Sequence, residues 1–206
     1  MLKVALTGGI ACGKSTVASM LRDLDFLVLE ADPLGHELLE PGQSAYDEVV
    51  REFGNGIVAA GDKVDRAKLG AIIFADAAKR ARLNQILHPR ILDVVLKWFA
   101  ALDRPGGPEL AVVEAALIIE AGFNDYLDKI IVCWCSPSQQ IERLRERGLS
   151  LEHAQQRIAA QMPMEEKRAL ADEVIDCSGP LEVTEQQVKQ VVTKLKQLAV
   201  SGRNIS

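Results

Sequence analysis

The sequence predicts an α/β fold in which helices cover both faces of a parallel β-sheet. Short apolar runs alternate along the chain with amphipathic stretches, as they do in βαβ units. The apolar runs are continuous rather than alternating, which indicates strands that are buried on both faces. A glycine-rich stretch follows the first apolar run and precedes a helical pattern, so the first strand–helix connection is an unusual turn.

The apolar runs place the strands in chain order. The fifth run is the shortest and gives the weakest pattern. The predicted strands cover residues 3–7, 27–30, 110–115, 129–135 and 173–175.

Apolar residues at helical spacing place the helices between these strands. Val17, Met20, Leu21 and Leu24 show this spacing in the first helix. Pro89 suits the first turn of a helix, so we expect one helix to end before it and another to begin there. The predicted helices cover residues 14–24, 33–40, 45–53, 65–74, 77–87, 89–102, 137–147, 151–161 and 182–198.

Two long connections interrupt the predicted βαβ pattern. The segment between strands two and three is far longer than one crossover helix requires, and a second insertion separates strands four and five. The sequence therefore predicts one domain over residues 1–206. Its core covers about 1–31, 108–136 and 168–206, with insertions at about 32–107 and 137–167.

The composition fits a soluble globular chain with a sizeable core. Of 206 residues, 48% are hydrophobic and 26% are charged. The formal net charge of −5 argues against a nucleic-acid partner. No apolar run approaches the ~18 residues of a membrane helix, and no targeting segment is visible, so we expect a cytoplasmic protein without a membrane partner. Zinc spacing is absent among the cysteines, which we expect to be reduced, buried thiols: Cys12, Cys133, Cys135 and Cys177.

The glycine-rich turn reads GGIACGKST and fits the pattern G-x-x-x-x-G-K-[ST], with Gly8, Gly13, Lys14 and Ser15 at the fixed positions. Glycines let backbone N–H groups turn inward around an anion, and the following helix adds its positive dipole end. The pattern predicts a cradle for ATP or GTP. The alternative is a glycine-rich turn with an exposed lysine.

Each residue of this turn has a predicted contact. Lys14 would reach the β- and γ-phosphates, Ser15 would ligate Mg²⁺, and Thr16 would contact the α-phosphate. Ala11 and Cys12 would face the ligand through their backbone only. The motif does not name the acceptor, because switch GTPases, motors and small-molecule kinases all share it.

Acidic residues follow the second predicted strand, where ligands of open α/β sheets bind. Glu30 and Asp32 are two residues apart, so both would share one face if the strand continued. Asp32 is our candidate for accepting a hydroxyl proton or for holding Mg²⁺ through water. It could instead be a solvated turn acid or the N-cap of the next helix, and these interpretations are compatible.

The motifs together resemble the dephospho-CoA kinase family, whose members show T-G-G-I-x-x-G-K-S-T and then D-A-D. The resemblance covers roughly residues 3–180. Its further matches, in order, are Phe53-Gly54, Asp65-Arg66-x-x-Leu69, Ile73-Phe74, His88-Pro89, Leu117-Ile118-Ile119-Glu120, Gln140-x-x-Arg143-Leu144-x-x-Arg147, Arg157-Ile158-x-x-Gln161 and Ala171-Asp172-x-Val174-Ile175-Asp176.

Four positions depart from the family pattern. Glu30 replaces the first acid of D-A-D, and His36 replaces an arginine that would contact the acceptor. Ala116 stands where the family has a proline. Cys177 replaces an asparagine next to the expected adenine pocket.

The resemblance implies an enzyme that transfers the γ-phosphate of ATP to the ribose 3′-hydroxyl of dephospho-CoA, with Mg²⁺ as cofactor. It implies a P-loop NTPase fold like that of nucleoside monophosphate kinases, with three layers and five parallel strands. The insertion at about 32–107 would then bind the acceptor, and the one at about 137–167 would be a lid. We expect a monomer or a weak homo-oligomer.

The same resemblance implies roles for further side chains. Asp32 would orient or deprotonate the acceptor hydroxyl, and His88 would contact the acceptor. Arg143 and Arg147 share one helical face and would bring guanidinium groups onto the phosphates. Alternatives stay open: His88 as a structural residue, and the arginines as solvated partners of neighbouring glutamates.

Two other functions fit the phosphate-loop motif. One is a different small-molecule P-loop kinase, such as a nucleoside monophosphate kinase. The other is a nucleotide-dependent switch, although the chain lacks the N-K-x-D motif expected for guanine.

Overall fold

Five parallel strands form one sheet in the computed structural model, which describes the backbone of residues 1–203. The strands are β1 (Leu2–Gly8), β2 (Val28–Glu30), β3 (Leu110–Glu114), β4 (Lys129–Trp134) and β5 (Glu173–Asp176). Their order is β2-β3-β1-β4-β5, so β1 is central and pairs in parallel with β3 and β4. The predicted five-stranded parallel sheet is confirmed.

Burial explains why the strands were visible in the sequence. Every residue of β3 is buried, as are the last five residues of β1. A strand covered by helices on both faces needs apolar side chains at consecutive positions.

Helices connect and cover these strands. Over residues 1–203 they are α1 (Lys14–Asp23), α2 (Asp32–Glu37), α3 (Tyr46–Phe53), α4 (Arg66–Ala75), α5 (Ala77–Leu102), α6 (Pro137–Glu146), α7 (Leu151–Ala159), α8 (Met164–Ala169) and α9 (Leu181–Arg203), with 3₁₀ turns at Asn55–Ile57 and Phe123–Tyr126. None of the described helices is long and apolar enough to cross a membrane.

The chain divides into two compact units. Of the described residues, one unit contains 1–30 and 99–203 and includes the whole sheet, and the other contains 31–98. The second unit is helical and has a core of its own, built from Leu38, Leu39, Ala45, Val49, Ile57, Leu69, Leu83 and Ile86.

The prediction that Pro89 begins a new helix is wrong, because α5 runs without a break from Ala77 to Leu102 with Pro89 inside it. A proline removes one N–H from the helical ladder, which usually kinks or ends a helix. Here Leu83 and Ile86 before the proline and Ile91 after it pack into the same helical core. Apolar contacts on both sides of Pro89 therefore keep the helix continuous.

Helix α8 was not predicted. Its sequence MEEKRA has glutamates in the first turn and basic residues in the last turn, which complement the helix dipole. That charge order was the available signal, but the six-residue helix is too short for an apolar period to be visible.

Candidate functional site

The glycine-rich turn connects the central strand β1 to helix α1, and its shape requires two of its glycines. A Cβ atom at Gly8 would lie 2.4 Å from the carbonyl oxygen of Cys133. Gly13, the N-cap of α1, has φ +91°, and a Cβ atom there would lie 3.0 Å from Cβ of Cys177. Both positions therefore exclude larger residues.

The first turn of α1 presents the predicted phosphate ligands. Lys14 begins the helix, and its Nζ donates a hydrogen bond to the carbonyl oxygen of Gly9 at 3.3 Å. Ser15 and Thr16 follow it and are exposed. The start of a helix carries unpaired N–H groups and a partial positive charge, so this turn favours an anion.

A cavity of about 270 Å³ opens beside this turn. Its lining includes most of the residues predicted for nucleotide binding: Ala11, Gly13, Ser15, Thr16, Arg143 and Arg147. Cys12 lies in the same turn, but its side chain is fully buried. Residues that sequence reasoning did not assign complete the lining: Cys177, Gly179, Leu181 and Thr184.

Arg143, from α6, connects the turn to the segment after β5. Its guanidinium donates to the carbonyl oxygen of Ala11 at 3.1 Å and to that of Cys177 at 2.6 Å. These bonds use two of the five N–H donors of a guanidinium. The structure thus gives Arg143 a positioning contact with the turn as well as a place on the cavity wall.

Two glutamines bracket the peptide groups of Ile10. Gln161 accepts a hydrogen bond from the Ile10 N–H at 2.7 Å, and Gln140 donates to the Ile10 carbonyl oxygen at 2.8 Å. The preceding N–H, that of Gly9, points to Sδ of Met164 at 3.0 Å. The segment 137–167 therefore fixes the first half of the turn, and it does so with residues more than 120 positions away in sequence.

We expect Gln161→Leu to lower kcat/KM for ATP about tenfold, mainly through a higher KM. Leucine leaves the Ile10 N–H without its acceptor, and an unsatisfied backbone group costs about 1–3 kcal/mol, so the turn loses its fixed orientation. Steady-state kinetics with varied ATP measures the effect. The matched control is Gln156→Leu, because Gln156 is an exposed glutamine of α7 that bonds only Glu152 among the described contacts. Equal kinetics for the two variants would contradict the positioning role.

A buried lysine attaches α8 to the segment that follows β3. Lys167 is fully buried, and its Nζ contacts Oε1 of Glu120 at 2.8 Å and the Ala116 carbonyl oxygen at 2.7 Å. Burial lowers the pKa of Lys167, and Glu120 opposes this shift. The same Glu120 oxygen accepts the N–H of Met162 at 3.0 Å. Since breaking a buried pair is strongly destabilising, this contact fixes the segment that carries Gln161 and Met164.

The predicted acceptor residues belong to the helical unit 31–98. Asp32 is exposed and is the first residue of α2, whereas the N-cap of that helix is Ala31. His88 is half-buried within α5. Glu30, the last residue of β2, pairs instead with Arg22 of α1 at 2.6 Å.

Sequence reasoning missed several residues of the site. No role was predicted for Met164 or Lys167, and Glu120 and Gln161 were noted only as parts of motifs. A faint signal existed for Glu120, a charge between Ile119 and Ala121, but none for Lys167, which stands between Glu166 and Arg168. The pairing of Lys167 with Glu120 depends on the fold, because 47 positions separate them in the sequence.

The sequence and the fold are similar to those of known proteins. A family model described as dephospho-CoA kinase matches residues 2–182. A relative named dephospho-CoA kinase from Geobacter sulfurreducens is 45% identical over 192 residues, which cover 93% of this chain and 97% of the relative.

Solved structures are similar to this chain as well. A dephospho-CoA kinase from Campylobacter jejuni is 28% identical, with a TM-score of 0.69, and the match covers 95% of this chain and 97% of the other. The protein TT1252 from Thermus thermophilus is 31% identical, with a TM-score of 0.78, over 94% of this chain and 97% of the other. The neighbours also include a shikimate kinase from Acinetobacter baumannii, whose 15% identity and TM-score of 0.53 show the shared α/β kinase fold.

Proposed function

This chain belongs to the dephospho-CoA kinase family, and from that premise we propose that it binds ATP on the turn 8–16 and phosphorylates the ribose 3′-hydroxyl of dephospho-CoA. The observation that carries the assignment to this turn is the cavity on which Ser15, Thr16, Arg143 and Arg147 meet. Phosphoryl transfer requires alignment and charge neutralisation more than covalent chemistry, and this set of side chains supplies both.

The triphosphate would lie along the start of α1. The N–H groups between Gly13 and Thr16 are those that a helix N-terminus leaves without intrahelical partners. Lys14 would release its bond to the Gly9 carbonyl and donate to the β- and γ-phosphate oxygens. An ammonium group there offsets negative charge as it spreads over the transferred group.

The residues present fit Mg²⁺, which kinases hold through phosphate oxygens, water and one or two protein oxygens. The Ser15 hydroxyl is exposed on the cavity wall beside Lys14 and would be the protein ligand. When bound, the ion neutralises phosphate charge. The alternative role of Asp32, a contact with this ion through water, would instead make the affinity for ATP depend on its carboxylate.

The adenosine end would occupy the part of the cavity that is formed by the start of α9 and the segment after β5. Leu181 and Thr184, at the start of α9, line it with the backbone around Cys177 and Gly179. Arg147 is exposed on the same wall, where a guanidinium can bond phosphate oxygens in a bidentate manner. The segment 137–167 already packs on the turn through Leu144, Ala154 and Ile10, so it would exclude water from the phosphates.

Asp32 would act on the acceptor. Chain connectivity keeps its Cα within about 7 Å of that of Glu30, the last residue of β2. Ligands of open α/β sheets lie beyond the carboxyl ends of the strands. From there the Asp32 carboxylate would accept the proton of the ribose 3′-hydroxyl, and His88 would contact the acceptor from the same helical unit.

A coupled ADP-release assay with defined acceptors tests the function. We expect dephospho-CoA to stimulate ADP release strongly, and ³¹P NMR of the product to show a new 3′-phosphomonoester. Coenzyme A is the matched control, because its 3′-position is already phosphorylated. Turnover of a nucleoside monophosphate or shikimate without turnover of dephospho-CoA would overturn the proposal, and hydrolysis that no acceptor stimulates would favour a switch.

A further inference from the structure

The four cysteines of the chain form two pairs around the nucleotide-binding turn. Cys12 lies in the turn, and Cys135 directly follows β4, with 3.4 Å between their Sγ atoms. Cys133, within β4, interacts with the thiol of Cys177, which follows β5. All of these thiols are free and buried. The family's motif asks for none of them, and the proposed mechanism uses none of their sulfur atoms.

The first pair has the properties of a reactive thiol pair. The Cys135 thiol donates a hydrogen bond to Cys12, and this bond, with help from the Lys14 ammonium, lowers the pKa of Cys12 to about 7 against the effect of burial. The same interaction raises the pKa of Cys135. Cys12 is therefore the member of the pair that ionises more readily to the nucleophilic thiolate, and Cys135 retains its proton.

The cysteine cluster does not indicate a metal site. Over residues 1–203, no group of three or more His, Cys, Asp or Glu side chains could hold a metal ion. Both thiols are fully buried, so a small oxidant would reach them only through a movement of Met164, which stands between Cys12 and a neighbouring cavity. A cavity of about 390 Å³ is lined by Gly9, Gln140 and Met164 among others, and Sδ of Met164 is 3.8 Å from Sγ of Cys12.

We propose that Cys12 and Cys135 are a site of reversible oxidation, at which a peroxide forms a disulfide that disables the nucleotide-binding turn. Closing the bond requires the sulfur atoms to approach from 3.4 Å to about 2.05 Å. This inference goes beyond the proposed function, since it concerns the turn and needs no particular acceptor.

The reaction balances with the peroxide as the two-electron oxidant. The Cys12 thiolate attacks one peroxide oxygen, the O–O bond breaks, and the leaving hydroxide takes a proton from solvent. The Cys135 sulfur then attacks the sulfur of the Cys12 sulfenic acid. The S–O bond breaks, and the second hydroxide leaves with the Cys135 proton as water. Two thiols become one disulfide, and one peroxide becomes two waters.

The disulfide would deform the turn at its most constrained point. Cys12 stands between Ala11, with φ +62°, and Gly13, with φ +91°, both in the left-handed region. Its own N–H bonds the Gly9 carbonyl at 3.2 Å. Pulling Cys12 toward the end of β4 moves these peptide groups, so the N–H groups no longer converge on a phosphate. Bound nucleotide should oppose oxidation, because its negative charge disfavours the Cys12 thiolate.

The primary test detects the bond itself. The full-length protein is treated with a molar excess of hydrogen peroxide, alkylated and digested with trypsin without reduction. We expect mass spectrometry to find peptide 4–14 joined to peptide 130–143, and ATP with Mg²⁺ to slow this joining. Joining to peptide 169–189, which contains Cys177, or no joining at all would overturn the proposal.

Two alanine variants identify the partner and the consequence. Peptide 130–143 contains both Cys133 and Cys135, so Cys133→Ala should still form the bond and Cys135→Ala should not. In the wild type we expect affinity for an unreactive ATP analogue to fall at least about tenfold on oxidation and to recover with dithiothreitol.

Two further results would contradict the disulfide as the cause of the lost affinity. A loss of affinity that dithiothreitol does not reverse, with methionine sulfoxide in peptide 158–167, would overturn the disulfide as the cause. An equal loss in oxidised Cys135→Ala would do the same. If Cys135→Ala does not fold, the comparison of wild type with Cys133→Ala still identifies the bonded cysteine. None of these readouts depends on dephospho-CoA, so they fail or succeed separately from the proposed function.

Discussion

Replacing Lys14 with alanine should lower kcat/KM by about a thousandfold while the protein keeps its fold. The Lys14 Nζ now bonds the Gly9 carbonyl within the turn, so the ammonium is already positioned at the start of α1. Removing one preorganised charge that stabilises a transition state typically costs about 10²–10³ in rate. The loss should exceed that of any cavity residue, because Lys14 acts on the phosphate that is transferred.

The measurement combines the coupled assay with a thermal melt. Lysine contributes little to the core here, so we expect the free energy of unfolding to change by less than about 1 kcal/mol. The matched control is Lys194→Ala, which removes an exposed lysine of α9 that pairs with Glu173 at 2.8 Å. It should keep its activity. A Lys14→Ala protein that turns over at the wild-type rate would refute the assignment of the phosphate site.

The fold was largely predictable because its signals are local. Central strands buried on both faces need continuous apolar runs, and the predicted and observed strands agree to within one residue at each end. Gly8 and Gly13 were a further local signal for the turn after β1, because a Cβ atom at either would lie 3.0 Å or less from an atom of Cys133 or Cys177. The predicted helix break at Pro89 was wrong for the opposite reason. Contacts of Leu83 and Ile91 with residues far away in sequence keep the helix continuous.

The candidate site shows the same difference between local and long-range signals. The place of Lys14, Ser15 and Thr16 at the start of a helix was predictable because strand, turn and helix are consecutive in the chain, and the motif describes that arrangement. The acceptor of the Ile10 N–H was not predictable, because Gln161 lies 151 positions later. A polar side chain near a helix end has many possible partners, and only the packing of the segment 137–167 selects one.

Asp32→Asn should lower kcat about a hundredfold to a thousandfold and leave affinity for ATP within about threefold of the wild type. Asparagine keeps the size of the side chain and one acceptor oxygen but cannot accept the proton of the acceptor hydroxyl. Asp32 also suits its position physically, because a carboxylate in the first turn of α2 is stabilised by the helix dipole. Steady-state kinetics gives kcat, and titration with an unreactive ATP analogue gives the affinity.

Glu37→Gln is the matched control for this substitution, since it neutralises another exposed carboxylate of the same helix and should keep its activity. The neighbouring acid Glu30 is not an equivalent candidate, because its carboxylate is paired with Arg22. The change in kcat, compared with the change in affinity for ATP, separates the two possible roles of Asp32. A proton acceptor acts on the transferring step and lowers kcat alone. A metal-site residue weakens binding of ATP with Mg²⁺, so a variant that loses only nucleotide affinity would contradict the role as a base.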